Sequence, residues 1–313
     1  MSAEPSIDIT VCILSYNRPK FLPEAVGSVL AQTSKPRDII ILDNGSRPEV
    51  KESVEEFLRR GVIWCGAEET HPASWNFYRA LRAGNGSLVY VMHDDDRLKD
   101  NFLETQGRLL QESSLAVAIG CNVIRIDANG SENGPNFPDE ASAGGVLLLR
   151  DDVDVAERFS MGKGMHFPTM IYRRSLILKV TTREEEFGKY ADVVFLCDMA
   201  TVGPVLYNRV PLMDYRIHSG QDSHVIDDPL FVRLEEELLR RSENGSRYRE
   251  AKQSVSSMRV ARRFNSVLSK LIEGRFIEAF VIFGRTFASG EINPFATLDY
   301  VRIVAWRIIH NMS

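Results

Sequence analysis

At 313 residues, with 44% hydrophobic and 26% charged side chains, the chain has the composition of an ordinary globular protein and the length for one large domain or two smaller ones. No run of 18 or more residues is free of charge, which excludes a membrane-spanning helix, and the first residues lack the basic and apolar pattern of a secretory signal. The net charge of -5 hides an asymmetry: residues 1–239 hold 25 Lys and Arg against 37 Asp and Glu, whereas residues 240–313 hold 13 against 6.

In chain order, residues 8–14 read as a buried strand rich in β-branched residues, followed by the turn Ser15-Tyr16-Asn17-Arg18-Pro19. A helix is predicted over 21–32, then a second buried strand over 38–43 that ends in the turn Asn44-Gly45-Ser46. Residues 49–60 place Val50, Val54, Phe57 and Leu58 on one helical face. A short strand over 61–65, a helix over 73–83 and a strand over 87–92 continue the alternation. The next helix is predicted over 98–111 and the next strand over 116–125. Residues 127–145, rich in Gly, Asn, Pro, Asp and Ser, read as a long mobile loop. A helix over 190–202 and a strand over 205–208 follow, and from about residue 228 the pattern is helical.

Alternating strands and helices predict a mostly parallel sheet covered on both faces, with ligands beyond the carboxyl ends of its strands. Asn17, Asp43 and the run Asp94-Asp95-Asp96 all fall at such ends. Three adjacent carboxylates repel one another and call for a compensating cation. The four cysteines show no metal-ligand spacing. Buried free thiols in a reducing cytoplasm fit them.

With Ser15-Tyr16-Asn17-Arg18, Asp43-Asn44-Gly45-Ser46, Asn76 and Asp94-Asp95-Asp96 in this order, the chain resembles the family 2 inverting glycosyltransferases. The resemblance runs from about Ile9 to His224. It implies the GT-A fold, a Rossmann-like, mostly parallel α/β sheet flanked by helices, here with a C-terminal helical extension. It also implies a nucleotide-sugar donor site formed by Ser15, Tyr16, Asn17, Arg18, Asp43 and Asn76. The family's metal-binding Asp-x-Asp maps onto Asp94, Asp95 and Asp96, with Asp94 also beside the donor and Mn²⁺ or Mg²⁺ as the cofactor. Many members carry a further aspartate where this chain has His93, so the choice among the three aspartates stays open.

In such chemistry the cation stabilises the nucleoside diphosphate leaving group, and a general base activates the acceptor hydroxyl on the opposite face of the sugar. Asp192, at the start of an apolar helix where family members carry Glu-Asp, is the candidate base, and Asp198 is second. The segment 212–223 resembles the family's Tyr-Arg-x-His segment. It implies Arg216, Gln221 and Ser223 near the diphosphate, and His218 as a further metal ligand. His166 and Trp75 are candidate acceptor contacts.

Three segments are therefore expected: residues 1–125 binding the donor, 126–227 supplying the base and acceptor site, and 228–313 a basic amphipathic extension. The extension pairs apolar residues such as Phe264, Val267, Leu268 and Trp306 with Arg and Lys. That pattern suits the inner face of a cytoplasmic membrane, or packing on the catalytic domain or a dimer partner. No nucleic-acid recognition motif is present. The expected reaction moves a sugar to a glycan or polyprenyl-diphosphate-linked acceptor in bacterial surface-polysaccharide or O-antigen synthesis. A nucleotidyltransferase or a non-catalytic nucleotide-sugar-binding module is the alternative.

Overall fold

The structure, a computed structural model, describes residues 6–177, 179–181, 183–218, 229–272, 275 and 278. Among the described residues ten strands form one sheet. They are β1 (Ser6–Ser15), β2 (Lys35–Asp43), β3 (Ile63–Gly66), β4 (Leu88–His93), β5 (Arg97–Leu98), β6 (Ala118–Ile126), β7 (Glu132–Pro135), β8 (Val146–Leu149), β9 (Ile171–Arg173) and β10 (Val205–Arg216). The main path runs β3-β2-β1-β4-β9-β6-β10-β5, with β7 added on β6 and β8 on β10.

The first four strands pair in parallel, as the alternation of elements requires. Their apolar runs are continuous because both faces are covered. Val11, Ile13, Ile41 and Met92 enter a core with helices Leu22–Leu30 and Phe102–Glu112. Cys12, Leu42 and Val91 enter the opposite core with helices Ala73–Arg82 and Ala191–Ala200.

Beyond β4 the sheet is mixed rather than mostly parallel. β9 runs antiparallel to β4 and β6, while β10 returns parallel to β6. Four expected elements differ. The helix over 49–60 is two short helices, Pro48–Glu52 and Glu55–Arg59. Ser53, between the two, donates its hydroxyl to the Val50 carbonyl, and Val50 and Val54 are both buried. The helix expected from residue 98 begins at Phe102. Arg97 and Leu98 instead pair with Asp214 and Met213, because Arg97 and Lys99 both form ion pairs with the buried Asp214.

The 127–145 segment is ordered as β7 and helix Pro138–Ala143, not a long open loop. Its reversal is set by Asp127, whose carboxylate accepts the N–H groups of Asn129 and Ser131. The strand expected over 205–208 runs on to Arg216, with a register shift near Pro211, where proline cannot donate to the ladder. All four cysteines are free thiols. Among the described residues no helix is long and apolar enough to cross a membrane.

Candidate active site

The carboxyl ends of β1, β2 and β4 meet β10 at one rim of the sheet, and the acidic run sits there. Asp94, Asp95 and Asp96 are buried, at 0%, 4% and 1% exposure. Carboxylates so deep in a protein cost several kcal/mol each unless partnered. Asp94 is held by the first turn: Tyr16 donates its backbone N–H to Oδ2 at 2.9 Å, and Arg18 donates to Oδ1 at 2.8 Å. The same Arg18 guanidinium lies 3.4 Å from Asp95, and His218 Nε2 lies 3.0 Å from Asp95 Oδ2. The Arg216 backbone N–H donates to Asp96 Oδ1 at 3.0 Å, and its side chain donates to the Asp95 carbonyl at 2.8 Å. Arg216 and Arg97 both also reach Glu24.

These partners do not fully repay the burial. Desolvation lifts Asp94 to about 6 against the pull of Arg18. It lifts Asp96 well above the ordinary carboxylate value, with repulsion from Asp95 adding to it. Asp96 Oδ2 is buried with no partner. His93, Asp95 and Asp96 each present one ligand atom, all within 4.8 Å of one another. Two carboxylate oxygens and an imidazole nitrogen, one oxygen orphaned, form a donor set that fits a Mg²⁺- or Mn²⁺-sized cation.

The turn after β1 is shaped by Asn17, which adopts φ 52°, a left-handed conformation that asparagine tolerates. Its N–H donates to Ser46 Oγ and its Oδ1 accepts from the Arg47 N–H, so the turns after β1 and β2 are tied together. Asp43 accepts the Ser46 N–H through Oδ2, while its buried Oδ1 has no partner. Gly45 is required in that turn: at φ +74°, an added Cβ would meet the Glu69 backbone at 2.6 Å. Asn76 anchors its helix by donating to the Leu42 carbonyl at 2.7 Å, leaving Oδ1 unpartnered.

A cleft of about 520 Å³ opens over this rim. Ser15, Tyr16, Arg18 and Asn76 line it together with His93 and Asp95, and so does Asp192. Asp192 stands in the first turn of helix Ala191–Ala200, just after a tight turn at Gly188–Tyr190. Burial lifts its carboxyl to about 7, opposed by the Val193 N–H bonded to Oδ1. A carboxylate poised there suits general-base work near neutral pH. Asp198 is engaged elsewhere, in an ion pair with Arg241.

The model for glycosyl transferase family 2 matches residues 10–181, more than half of the chain. The chain belongs to glycosyl transferase family 2. Among curated relatives it is 26% identical over 223 residues to an uncharacterized glycosyltransferase of Nostoc sp., covering 69% of this chain and 66% of that one. It is 28% identical over 120 residues to the glucosyl-dolichyl phosphate glucuronosyltransferase of Haloferax volcanii, covering 38% of each. The match thus spans under two thirds of either relative. Among solved structures, S. aureus TarS 1-349 in complex with UDP-GlcNAc aligns with a TM-score of 0.57 at 14% identity, covering 87% of this chain and 79% of that one. The fold is accordingly GT-A, the architecture the family resemblance implies.

Not every residue singled out from sequence lines the cleft. Asp43 lies just behind it, and its neighbour Asn44 lines it. His166 is packed 4.7 Å from the Tyr215 ring, and Tyr215 is the cleft residue. Burial, with Arg125 and Arg158 nearby, lowers His166 to about 4, so its imidazole is neutral. Trp75 stacks on His71 at 4.0 Å, and His71 faces the cleft. Gln221, Ser223 and Trp306 lie outside the described residues. His71, Ser74 and Tyr190 carried no sequence signal, whereas Tyr215 stands in the Tyr-Arg-x-His segment and Asn44 beside Asp43. Glu24 was hidden because its partner Arg216 is 192 positions away.

Proposed function

We propose that this chain transfers a sugar, with inversion, from a nucleoside-diphosphate donor to an acceptor hydroxyl. The observation that carries the reading is the shared cleft: the turn after β1, Asp95 of the acidic run and Asp192 all line it. Ser15, Tyr16, Asn17, Arg18, Asp43 and Asn76 form the donor side, with Arg216 behind the acidic run. TarS, of similar fold, is known with UDP and with UDP-GlcNAc, which supports a nucleotide-sugar donor.

Asp95 and Asp96 would hold Mg²⁺ or Mn²⁺, with His93 or His218 completing the set and Asp94 bracing the turn through Arg18 and Tyr16. Such an ion supplies neutralisation of the charge that develops on the departing diphosphate. Asp192 accepts the proton of the acceptor hydroxyl. That oxygen forms its bond to the anomeric carbon as the bond from that carbon to the diphosphate breaks. One displacement inverts the centre and releases a nucleoside diphosphate.

The acceptor is a glycan, carried on a polyprenyl diphosphate at the cytoplasmic membrane face, in surface-polysaccharide or O-antigen assembly. The basic C-terminal region and the Haloferax relative, named for a lipid-linked substrate, support that choice.

A thermal-shift panel of sugar nucleotides, with and without Mn²⁺, tests the reading. One donor should raise the melting temperature only with the ion present, and Asp192→Asn should keep that shift while losing transfer. No shift with any donor would overturn the donor assignment. Full transfer by Asp192→Asn would overturn the base.

A further inference from the structure

A second cavity, of about 350 Å³, shares no lining residue with the cleft. It is walled by β8, by helix Asp152–Ser160 and by Arg247 just before helix Tyr248–Ile272. Five cationic side chains line it, Arg150, Arg158, Lys163, Arg209 and Arg247, against three carboxylates. Of the five cations, Arg158 and Arg150 are paired within the cavity and Arg247 is paired with Glu250 beside it, whereas Glu157 keeps its charge, so Lys163 and Arg209 face one uncompensated carboxylate. Glu140 takes both terminal nitrogens of Arg158 at 2.9 Å, Asp154 takes Arg150, and Glu157 accepts the Arg247 backbone N–H at 2.8 Å.

Positive charge is left over. Lys163 is 4.0 Å from Glu140 and half exposed. Arg209 reaches the Gly144 carbonyl at 3.4 Å and has no carboxylate in ion-pair reach among the described residues. Arg158 is 5% exposed, and the Nε atoms of Arg158 and Arg209 are both buried without a partner. Arg158 is held by Glu140 on one side and stacks over the Tyr207 ring at 4.1 Å on the other, so the cationic groups left for an anion are Arg209 and Lys163. Glu140 reports the same field. Burial would raise it, yet Arg158, with Lys163 and Arg209 beside it, holds it below its ordinary value.

The rim of this basic cavity is apolar. Leu148 lines it and is 50% exposed; Val146, on the same strand face, is 40% exposed, and Val210, next to Arg209, is 42% exposed. β8 pairs with β10 alone among the described strands. Basic groups bordered by exposed aliphatics match the boundary between phosphate headgroups and acyl chains.

We propose that this face seats the phosphate of an anionic phospholipid, with Arg209 and Lys163 on the headgroup and Val146, Leu148 and Val210 in the interface. It rests on the reading that the acceptor is membrane-borne. It places a membrane contact on the α/β body, apart from the C-terminal region.

Sedimentation of the full chain with vesicles of phosphatidylcholine alone, and of phosphatidylcholine with 30% phosphatidylglycerol as about that fraction, tests it. The full chain should bind only the anionic vesicles. Lys163→Gln with Arg209→Gln should weaken that binding roughly 25-fold, at about fivefold per cation. Leu148→Asn, with both cations kept, should weaken it too, while transfer to a short water-soluble acceptor stays at the wild-type rate in all of these variants. Equal binding by the wild type and the Lys163/Arg209 variant, or no binding by the full chain, would overturn the proposal. Thermal stabilisation by inorganic phosphate without any vesicle binding would also overturn it, assigning the cavity to a soluble anion. Loss of transfer to the soluble acceptor in the wild type would be a failure of the glycosyltransfer reading alone.

Discussion

The guanidinium of Arg241 is clasped by Asp198, in the last turn of helix Ala191–Ala200, whose first turn carries Asp192. Arg241 is 7% exposed and also meets Glu237 and Asp152, while Glu237 in turn binds Arg183. Helix Pro229–Ser242 thereby fixes the helix on which the candidate base stands. Removing one partner of a buried ionic cluster leaves uncompensated charge, so Arg241→Met should lower stability by about 3 kcal/mol in urea unfolding. An unchanged unfolding midpoint would show the cluster to be a surface ornament.

Asp192 should reveal itself in the pH profile of turnover. With its carboxyl near 7, the rate should climb with pH up to about 7 and level off above, because the ionised form is the base. Asp192→Ala should lower kcat by roughly 10²–10⁴ and erase that limb. A variant that keeps the limb would place the base elsewhere.

The same shift has a stability consequence of opposite sense. Burial raises the folded carboxyl above its unfolded value of 3.8. Its stabilising contribution is therefore full below 3.8 and is lost as pH rises through about 7. Asp192→Asn should melt above the wild type at pH 8, with the gap closing toward pH 4. Calorimetry at the two pH values decides it.

Asp95→Ala with Asp96→Ala should abolish turnover and the Mn²⁺-dependent part of donor binding. Wild-type turnover that persists in EDTA would remove the cation from the reaction.

At Asn17 the left-handed backbone predicts an order among substitutions. Asn17→Gly should cost only the bonds to Arg47 and the local entropy, whereas Asn17→Val adds about 1–2 kcal/mol of backbone strain. Melting temperatures should rank wild type, Gly, Val; a Val variant as stable as Gly would show that the turn relaxes.

Much of the first half of the sheet was legible from sequence because parallel strands buried on both faces print as continuous apolar runs, and the polar residues that break those runs mark the rim. Ser15, Asp43 and the Asp94–Asp96 run stand out for that reason, whereas Asn76, inside a helix, stood out only through the family resemblance. The remaining half depends on pairing over long sequence distances. Arg97 and Leu98 carry a helix-like pattern until Asp214, far along the chain, draws them into a strand. His71 and Tyr215 line the cleft, while Trp75 and His166, the aromatic rings packed against them, do not. No local pattern records which of two adjoining aromatic residues faces a cavity.

The two sides of the cleft are built from different material. The acidic run is gripped by two backbone N–H groups, Tyr16 in the turn after β1 and Arg216 in β10, so its geometry tolerates little drift. The other lining includes a short turn at Gly188–Tyr190, with φ +51° at Gly188, and the loop around Thr70 and His71. Rewriting a few residues of that lining is predicted to change sugar preference while leaving the charge centre untouched. Chimaeras that graft only 70–74 and 188–190 from a relative would inherit that relative's preference without its scaffold.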